Sequence, residues 1–456
     1  MRKLNIFLST VILALSATTA HAQTLKSALE ATYANNPSLI AARSNLAVTD
    51  ETVAAARAEL LPQISASATN TETRVFDPNV DTDTWSVTLS ITQIIYNGGR
   101  ALLAFDAANL NVLSDREDLL DTEQDILLDA ITAFMDVRRD ADVVRLSQNN
   151  VRVLGEQLRA ANDRFEVGEV TRTDVAQTEA RLATARSSLV SAQGILDASR
   201  EAYRAVVGSY PVAPQAPTDL PSLPTTRSEA EAIALTEHPR MLAAQFDLAA
   251  AEVNLTSARR AFQPTISGTI SAQRSEPSNS DTSTDSASIS ITGSVPIYQG
   301  GSLNSGIRSA MASVNSAKAG LQLTARLTQQ AVLSAYATWR ASVASIDATS
   351  EAVRAARIAF NGVSEEASLG ARTTLDVLDA EQELLDAQTD LATARRDEVV
   401  ARFTVLSELG RLTADDLGLN VTVFDPEENF STVNPPTLLG SRRDALLDRM
   451  LERSGN

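Results

Sequence analysis

Cysteine is absent from all 456 residues. That excludes disulfides, thiolate metal sites and a lipid anchor on an N-terminal cysteine. Histidine is nearly absent: the two are His21 and His238. No His-based triad and no His/Cys zinc site can be built from them. No Walker-type Gly-rich loop occurs, so any driving energy must come from a partner. The chain is therefore not expected to be an enzyme, and neither cofactor nor metal is expected; composition leaves open only a hydrolase built from carboxylates. Aromatics make up 4%. Large compact cores use them heavily, so their scarcity points to an elongated architecture packed by Ala and Leu. After the N-terminus, no segment has the roughly 18 uninterrupted apolar residues of a membrane-spanning helix. If the chain crosses a membrane, it must do so with strands.

What is present begins with a targeting pattern. Arg2 and Lys3 precede an apolar run from Leu4 to about Leu15, and small residues lead to Ala20-His21-Ala22. This predicts a secretory signal peptide over 1–22, cleaved before Gln23. The apolar run is too short for a membrane anchor. Cleavage leaves 37 basic and 57 acidic residues, a balance of −20 over 434 residues. Such a charge disfavours nucleic acid and anionic surfaces, so no nucleic-acid partner is expected.

The mature chain is a tandem duplication with a shift of 202 residues. Pro37 matches Pro239, and Pro62 matches Pro264. Tyr96-Asn97-Gly98-Gly99 matches Tyr298-Gln299-Gly300-Gly301. Gly168 matches Gly370, Asp174-Val175 matches Asp376-Val377, and Val207-Gly208 matches Leu409-Gly410. One ungapped shift across so many landmarks implies two copies of one structural unit. The first repeat spans 23–210 and the second 228–424, with a Pro-rich linker at 211–227. A polar tail, 425–456, stays unassigned.

Each repeat predicts a helix, a strand hairpin, a very long helix and a further helix. In the first, a helix runs from about Leu25 to Leu60, the hairpin covers about 62–96, and helices cover about 100–165 and 173–208. In the second, the hairpin covers about 264–298 and the helices about 302–366 and 373–410. Ile64, Ala66 and Ala68 alternate with Ser65, Ser67 and Thr69, and Trp85, Val87, Leu89 and Ile91 alternate with Ser86, Thr88, Ser90 and Thr92. Ile266, Gly268 and Ile270 alternate with Ser267, Thr269 and Ser271. Ile289, Ile291 and Val295 oppose Ser288, Ser290, Thr292 and Ser294. Period-two alternation of apolar with Ser/Thr fits a lipid-facing exterior and a hydrated lumen. It also fits a soluble sheet with one face on a core. The polar segments between paired strands, about Thr71 to Thr84 and Arg274 to Ser286, read as loops.

The long helices need partners, because sixty residues span about 90 Å. Val377, Ala380, Leu384, Ala387, Leu391 and Ala394 keep heptad spacing, and Val175, Thr178, Leu182, Ala185, Leu189 and Ala192 repeat it. That is coiled-coil packing. Four strands cannot close a barrel, and an open edge in lipid leaves unpaired backbone groups. The strands must enter a shared barrel, of eight strands for two copies or twelve for three.

Phe165-Glu-Val-Gly-Glu-Val-Thr-Arg-Thr-Asp-Val175 and Leu369-Gly-Ala-Arg-Thr-Thr-Leu-Asp-Val-Leu-Asp379 resemble the turns of TolC-type outer-membrane factors. With the duplicated layout, the resemblance covers nearly the whole mature chain. It implies an α+β membrane protein: a homotrimer with a twelve-stranded β-barrel in the outer membrane. Long coiled-coil helices would form a periplasmic α-barrel closed at its inner end. It implies export of small molecules or type I protein secretion. Implied partners are a periplasmic adaptor (membrane fusion) protein, an inner-membrane ABC or proton-driven transporter, and outer-membrane lipid. Asp376 and Asp379 would ring the periplasmic gate. Arg372 would close it against Thr173 and Asp174, with Gly168 and Gly370 at the periplasmic tips. Ala367 stands where the family adds an aromatic contact.

Read from the residues alone, Asp376 and Asp379 lie one helical turn apart on one face. Thr171 with Asp174 and Thr373 with Asp376 also fit capping boxes. Asp376, Asp379, Glu383, Asp386, Asp390 and Asp397 form an acidic stripe that the first repeat does not share. The stripe fits either a lumen lining or a solvated outer face. The competing function is a periplasmic coiled-coil adaptor or structural protein, which would not need the Ser/Thr-alternating strands.

Overall fold

The computed structural model describes residues 23–77, 79–277 and 282–433. The expected signal peptide and the tail from 434 onward lie outside the described residues. Each half has the same element order. The first holds α1 (Leu25–Asn35), α2 (Pro37–Ala58), β1 (Gln63–Phe76), β2 (Asn79–Tyr96), α3 (Arg100–Glu166) and α4 (Arg172–Val207). The second holds α5 (Arg227–Glu237), α6 (Pro239–Arg259), β3 (Thr265–Pro277), β4 (Thr284–Ser294), α7 (Ser302–Ser368) and α8 (Thr374–Glu408). A short α9 (Pro426–Val433) follows.

The helix expected from Leu25 to Leu60 is two helices. Pro37 has no N–H for a continuing helix. Asn36 leaves helical geometry with ψ 122, and its Oδ1 accepts from Ser38 N at 2.8 Å. The second half breaks at the matching place, where His238 Nδ1 accepts from Arg240 N at 3.1 Å just before Pro239. An accepting Nδ1 carries no proton, and burial lowers the His238 pKa in the same sense. His238 is thus a buried helix cap.

The strands form one antiparallel sheet in the order β1-β2-β3-β4, which leaves β1 and β4 as edges. Register aligns Ile64, Ile91, Ile270 and Ile289 in one row across all four strands. The adjacent row, on the opposite face, is Ser65, Ser90, Ser271 and Ser288. Its hydroxyls bond at 2.8 Å between Ser65 and Ser90 and again between Ser271 and Ser288. No helix packs across either face among the described residues. Ile64, Ile289 and Ile291 stay 70%, 80% and 74% exposed. Nothing among the described residues of this chain covers the apolar face as a core would.

The polar stretch expected as a loop near Thr71 to Thr84 is largely strand. Glu72 stands opposite Asp83, and Arg74 pairs with Asp81 at 2.9 Å. Acidic residues have low strand propensity, but the ladder carries them to the hairpin end. β2 runs 18 residues, about 60 Å, beyond the ten or so residues that cross a bilayer.

α3 and α7 each have 67 residues, about 100 Å of helix. Each doubles back on its successor, forming the hairpins α3–α4 and α7–α8. The two are not equivalent. α3 buries 22 residues, centred on Leu127, Ile131 and Phe134, whereas α7 buries seven. α7 keeps Leu323, Leu327 and Ile358 more than half exposed. An outward apolar stripe on one long helix is a surface without a partner inside this chain.

The expected tail begins as a docked element. α9 packs on α2, Arg116 lies 5.0 Å over the Phe430 ring, and Asn429 donates to Asp50. The Pro-rich linker is also fastened: Tyr336 donates to Thr225 O at 3.0 Å, and Arg402 to Pro221 O at 3.3 Å.

Candidate gate at the helical tips

The hairpins turn at the end remote from the sheet. Gly168 and Gly370 adopt φ +81 and +79 there, where an L side chain would be strained. Both following helices start with complete capping boxes. Thr171 Oγ1 accepts from Asp174 N and the Asp174 carboxylate accepts from Thr171 N at 2.9 Å. Thr373 and Asp376 repeat this, with the carboxylate accepting from Thr373 N at 3.0 Å. Those bonds hold the Asp376 pKa below the usual carboxylate range. Asp174 and Asp376 therefore each fasten the start of their own helix.

Asp379 has a different partner. Its Oδ1 lies 2.6 Å from Arg181 Nη2 on α4, so the second repeat's carboxylate is matched by the first repeat's guanidinium. Arg181 belongs to the first-repeat positions that correspond to the acidic stripe. The pair therefore brings α4 and α8 together at one point of the two stripes. The rest of the stripe is charged and largely open, with Asp386 bonded to Gln382 at 2.7 Å and Asp397 to Arg396 at 3.0 Å.

Arg372 does not bond Asp174 or Thr173 in this chain. Its Nε donates to Glu366 at 2.8 Å, and that bond is the main reason its pKa is raised. Glu366 lies in the last turn of α7 only six residues away, so it reaches Arg372 without bridging the tips. Arg372 and Asp174 nevertheless line one cleft between the two tips, about 660 Å³, with Ala367, Gly370 and Thr373. Thr173 sits exposed in the first turn of α4.

One buried group at this end was missed from the sequence. Glu381 is 7% exposed, its Oε2 lacks a hydrogen-bond partner, and burial pushes its pKa up to about 7 against the pull of Arg152. Asn150 Oδ1 on α3 is a second buried acceptor without a donor. Glu381 stands one residue outside the heptad seam, where a charged residue ordinarily faces water, so the pattern held no signal for its burial. Arg181 did carry one, as the opposite charge at a stripe position. Among the described residues, no cluster of His, Cys, Asp and Glu could hold a metal.

A duplicated helical hairpin carrying a four-stranded sheet with two free edges defines a channel-type protomer rather than a self-contained globule. The chain belongs to the family described as outer membrane efflux protein, whose profile matches residues 28–209 and 232–411. It is 35% identical over 416 residues to the outer membrane efflux protein BepC of Brucella suis biovar 1 (strain 1330), covering 91% of each chain. It is 28% identical over 442 residues to the outer membrane protein TolC of Escherichia coli (strain K12), covering 92% of this chain and 89% of TolC. Its fold is similar to the outer membrane protein VceC from Vibrio cholerae, with a TM-score of 0.73 at 21% identity over 85% of this chain and 96% of VceC.

Proposed function

We infer that the chain is the protomer of an outer-membrane export channel, a passive conduit from periplasm to exterior. The sheet carries this reading: four strands, two unpaired edges and an isoleucine row with nothing covering it. In lipid, an unpaired edge leaves backbone groups unsatisfied, and four strands cannot close. Three copies supply twelve strands, with β4 of one copy pairing β1 of the next. The isoleucine row then meets lipid and the serine row lines a hydrated lumen. The exposed stripe of α7 is the surface against which a neighbouring copy's helices pack, giving a hollow helical barrel in the periplasm.

A channel without a nucleotide loop needs an external motor. An inner-membrane ABC or proton-driven transporter, joined through a periplasmic adaptor, fills that role. The partners choose the cargo, small molecules in efflux or a polypeptide in type I secretion. Family membership and the uncovered apolar sheet favour the channel over a periplasmic adaptor.

At the tips, Asp376 and Asp379 from three copies would set six carboxylates around the entrance. That arrangement attracts cations. Arg181 tempers the charge of Asp379, and its pairing supports a lumen-facing stripe because it brings α4 and α8 together. Closure would transfer Arg372 from Glu366 to Asp174 and Thr173 across the shared cleft, with Gly168 and Gly370 at the periplasmic end. Fractionation of cells expressing the chain tests the reading. The protein is expected in the outer membrane, and its loss is expected to sensitise cells to toxic compounds or to stop secretion of a polypeptide. Recovery in the soluble periplasmic fraction would return the adaptor.

A further inference from the structure

The cleavage expected before Gln23 would make that residue the first of the mature chain, and the linker between repeats grips it; the proposal below rests on that expectation. The Gln23 backbone N–H donates to Val212 O at 3.0 Å. Its side-chain Oε1 accepts from Val212 N at 3.2 Å. Its own carbonyl accepts from Gln215 N at 3.0 Å. Val212 thus offers an acceptor and a donor side by side, and Gln23 answers with Nα and Oε1. To do so, the side chain folds back beside its own nitrogen.

We propose that Gln23 is a modification site, where the α-amine freed by cleavage closes on its own side chain to form N-terminal pyroglutamate. The amine nitrogen attacks Cδ, the N–Cδ bond forms, the Cδ–Nε2 bond breaks, and Nε2 leaves as ammonia with the proton the amine gives up. Atoms balance, and no co-reactant is needed. The lactam retains one N–H and one C=O, locked cis by the five-membered ring. That is the donor–acceptor pair that Val212 receives. The lactam oxygen is the former Oε1, and the lactam N–H occupies the place of the backbone N–H.

Two further features fit a neutral, ring-shaped terminus. Ala213 has φ +41, the one non-glycine positive φ among the described residues, and it stands between Val212 and Gln215 immediately before Pro214. Such a conformation persists only where its surroundings over-determine it. Here it bends the linker around Gln23. The second feature is charge. Thr24 caps α1, accepting from Ser27 N at 3.2 Å, so an ammonium on Gln23 would face the positive end of that helix. Below it lies the fully buried Tyr203, whose phenol burial pushes up to about 12 while the neighbouring Gln23 side chain pulls the other way. The Tyr203 hydroxyl has no well-aligned hydrogen-bond partner of its own. The buried phenol carries no negative charge to offset a free ammonium, and the lactam carries no charge.

Mass spectrometry of the N-terminal peptide from outer-membrane-purified protein tests the proposal. A synthetic open-chain peptide of the same sequence, carried through the same steps, scores cyclisation during handling. The expected peptide begins at residue 23 and is lighter by one ammonia, while the standard stays open. A peptide beginning at an open Gln23 overturns the modification. A peptide beginning at another residue overturns the cleavage position, and the proposal with it, while leaving the channel reading intact. Val212→Pro removes the donor to Oε1 and is expected to lower the cyclised fraction several-fold. An unchanged fraction would overturn the linker's part.

Discussion

Arg181 of the first repeat and Asp379 of the second meet at 2.6 Å, joining the two copies of the duplicated unit near their tips. Both side chains are about half exposed, at 44% and 54%. Such a pair contributes little stability, under about 1 kcal/mol. Its larger effect falls on the field at the entrance. Arg181→Ala is expected to leave the assembly intact and to raise cation selectivity in planar-bilayer recordings, because Asp379 then acts unopposed. Asp376→Asn with Asp379→Asn is expected to lower selectivity and to weaken block by multivalent cations from the tip side. Asn at position 376 can still accept from Thr373 N, and the Thr373 cap on its backbone N–H is untouched, so the helix start is expected to hold. Unchanged block in it would return Asp376 to capping alone and Asp379 to a surface ion pair.

Arg372 stands at the tip cleft with Asp174 on the opposite wall. If closure uses that pair, Arg372→Ser raises resting conductance, while Glu366→Gln, which frees Arg372 from its present partner, does not. Equal conductance in wild type and Arg372→Ser would remove Arg372 from closure.

Glu381 gives the helical tips a dependence on pH. Its folded pKa of about 7 lies above the unfolded value of 4.5, so folding favours the protonated form. The associated stability is fully present below pH 4.5 and is lost as pH rises through about 7. The difference amounts to about 3 kcal/mol per copy as an upper figure. The melting temperature of the wild type is expected to fall between about pH 5 and 8. Glu381→Gln keeps the shape without the charge, and its melting temperature should vary less over that range. Identical slopes would show that Glu381 titrates as an exposed carboxylate.

The hairpin ends of the sheet and the tips of the helices should face opposite sides of the membrane. Cysteines can be introduced singly, since the chain has none. An impermeant thiol reagent on intact cells is expected to label Thr284→Cys, at the start of β4, and to spare Leu369→Cys. Labelling of Leu369→Cys alone would invert the orientation.

Much of this architecture was legible because it is periodic. The 202-residue shift located both halves, and it carries the start of α3 at Arg100 onto the start of α7 at Ser302. Ser/Thr alternation marked the strands because the side-chain period of a strand is two. What escaped depended on contacts distant in sequence or on competing local rules. The break at Asn36 was visible as a capping residue before a proline, but the helical pattern on both sides concealed it. The strand over Glu72 and Arg74 owes its form to ladder pairing against acidic residues that seldom start strands. Arg181 and Asp379 lie 198 residues apart, so no local pattern could pair them. Glu381 is buried by the approach of α3, which heptad spacing within α8 alone cannot report.

The shared barrel stands or falls on the number of chains in one folded particle. Native mass measurement of the protein extracted from outer membranes in mild detergent counts them directly. Three copies per particle are predicted: four strands with free edges at β1 and β4 must close with others, and the family resemblance implies a barrel of twelve. A folded single copy inserted in the membrane would contradict the shared barrel.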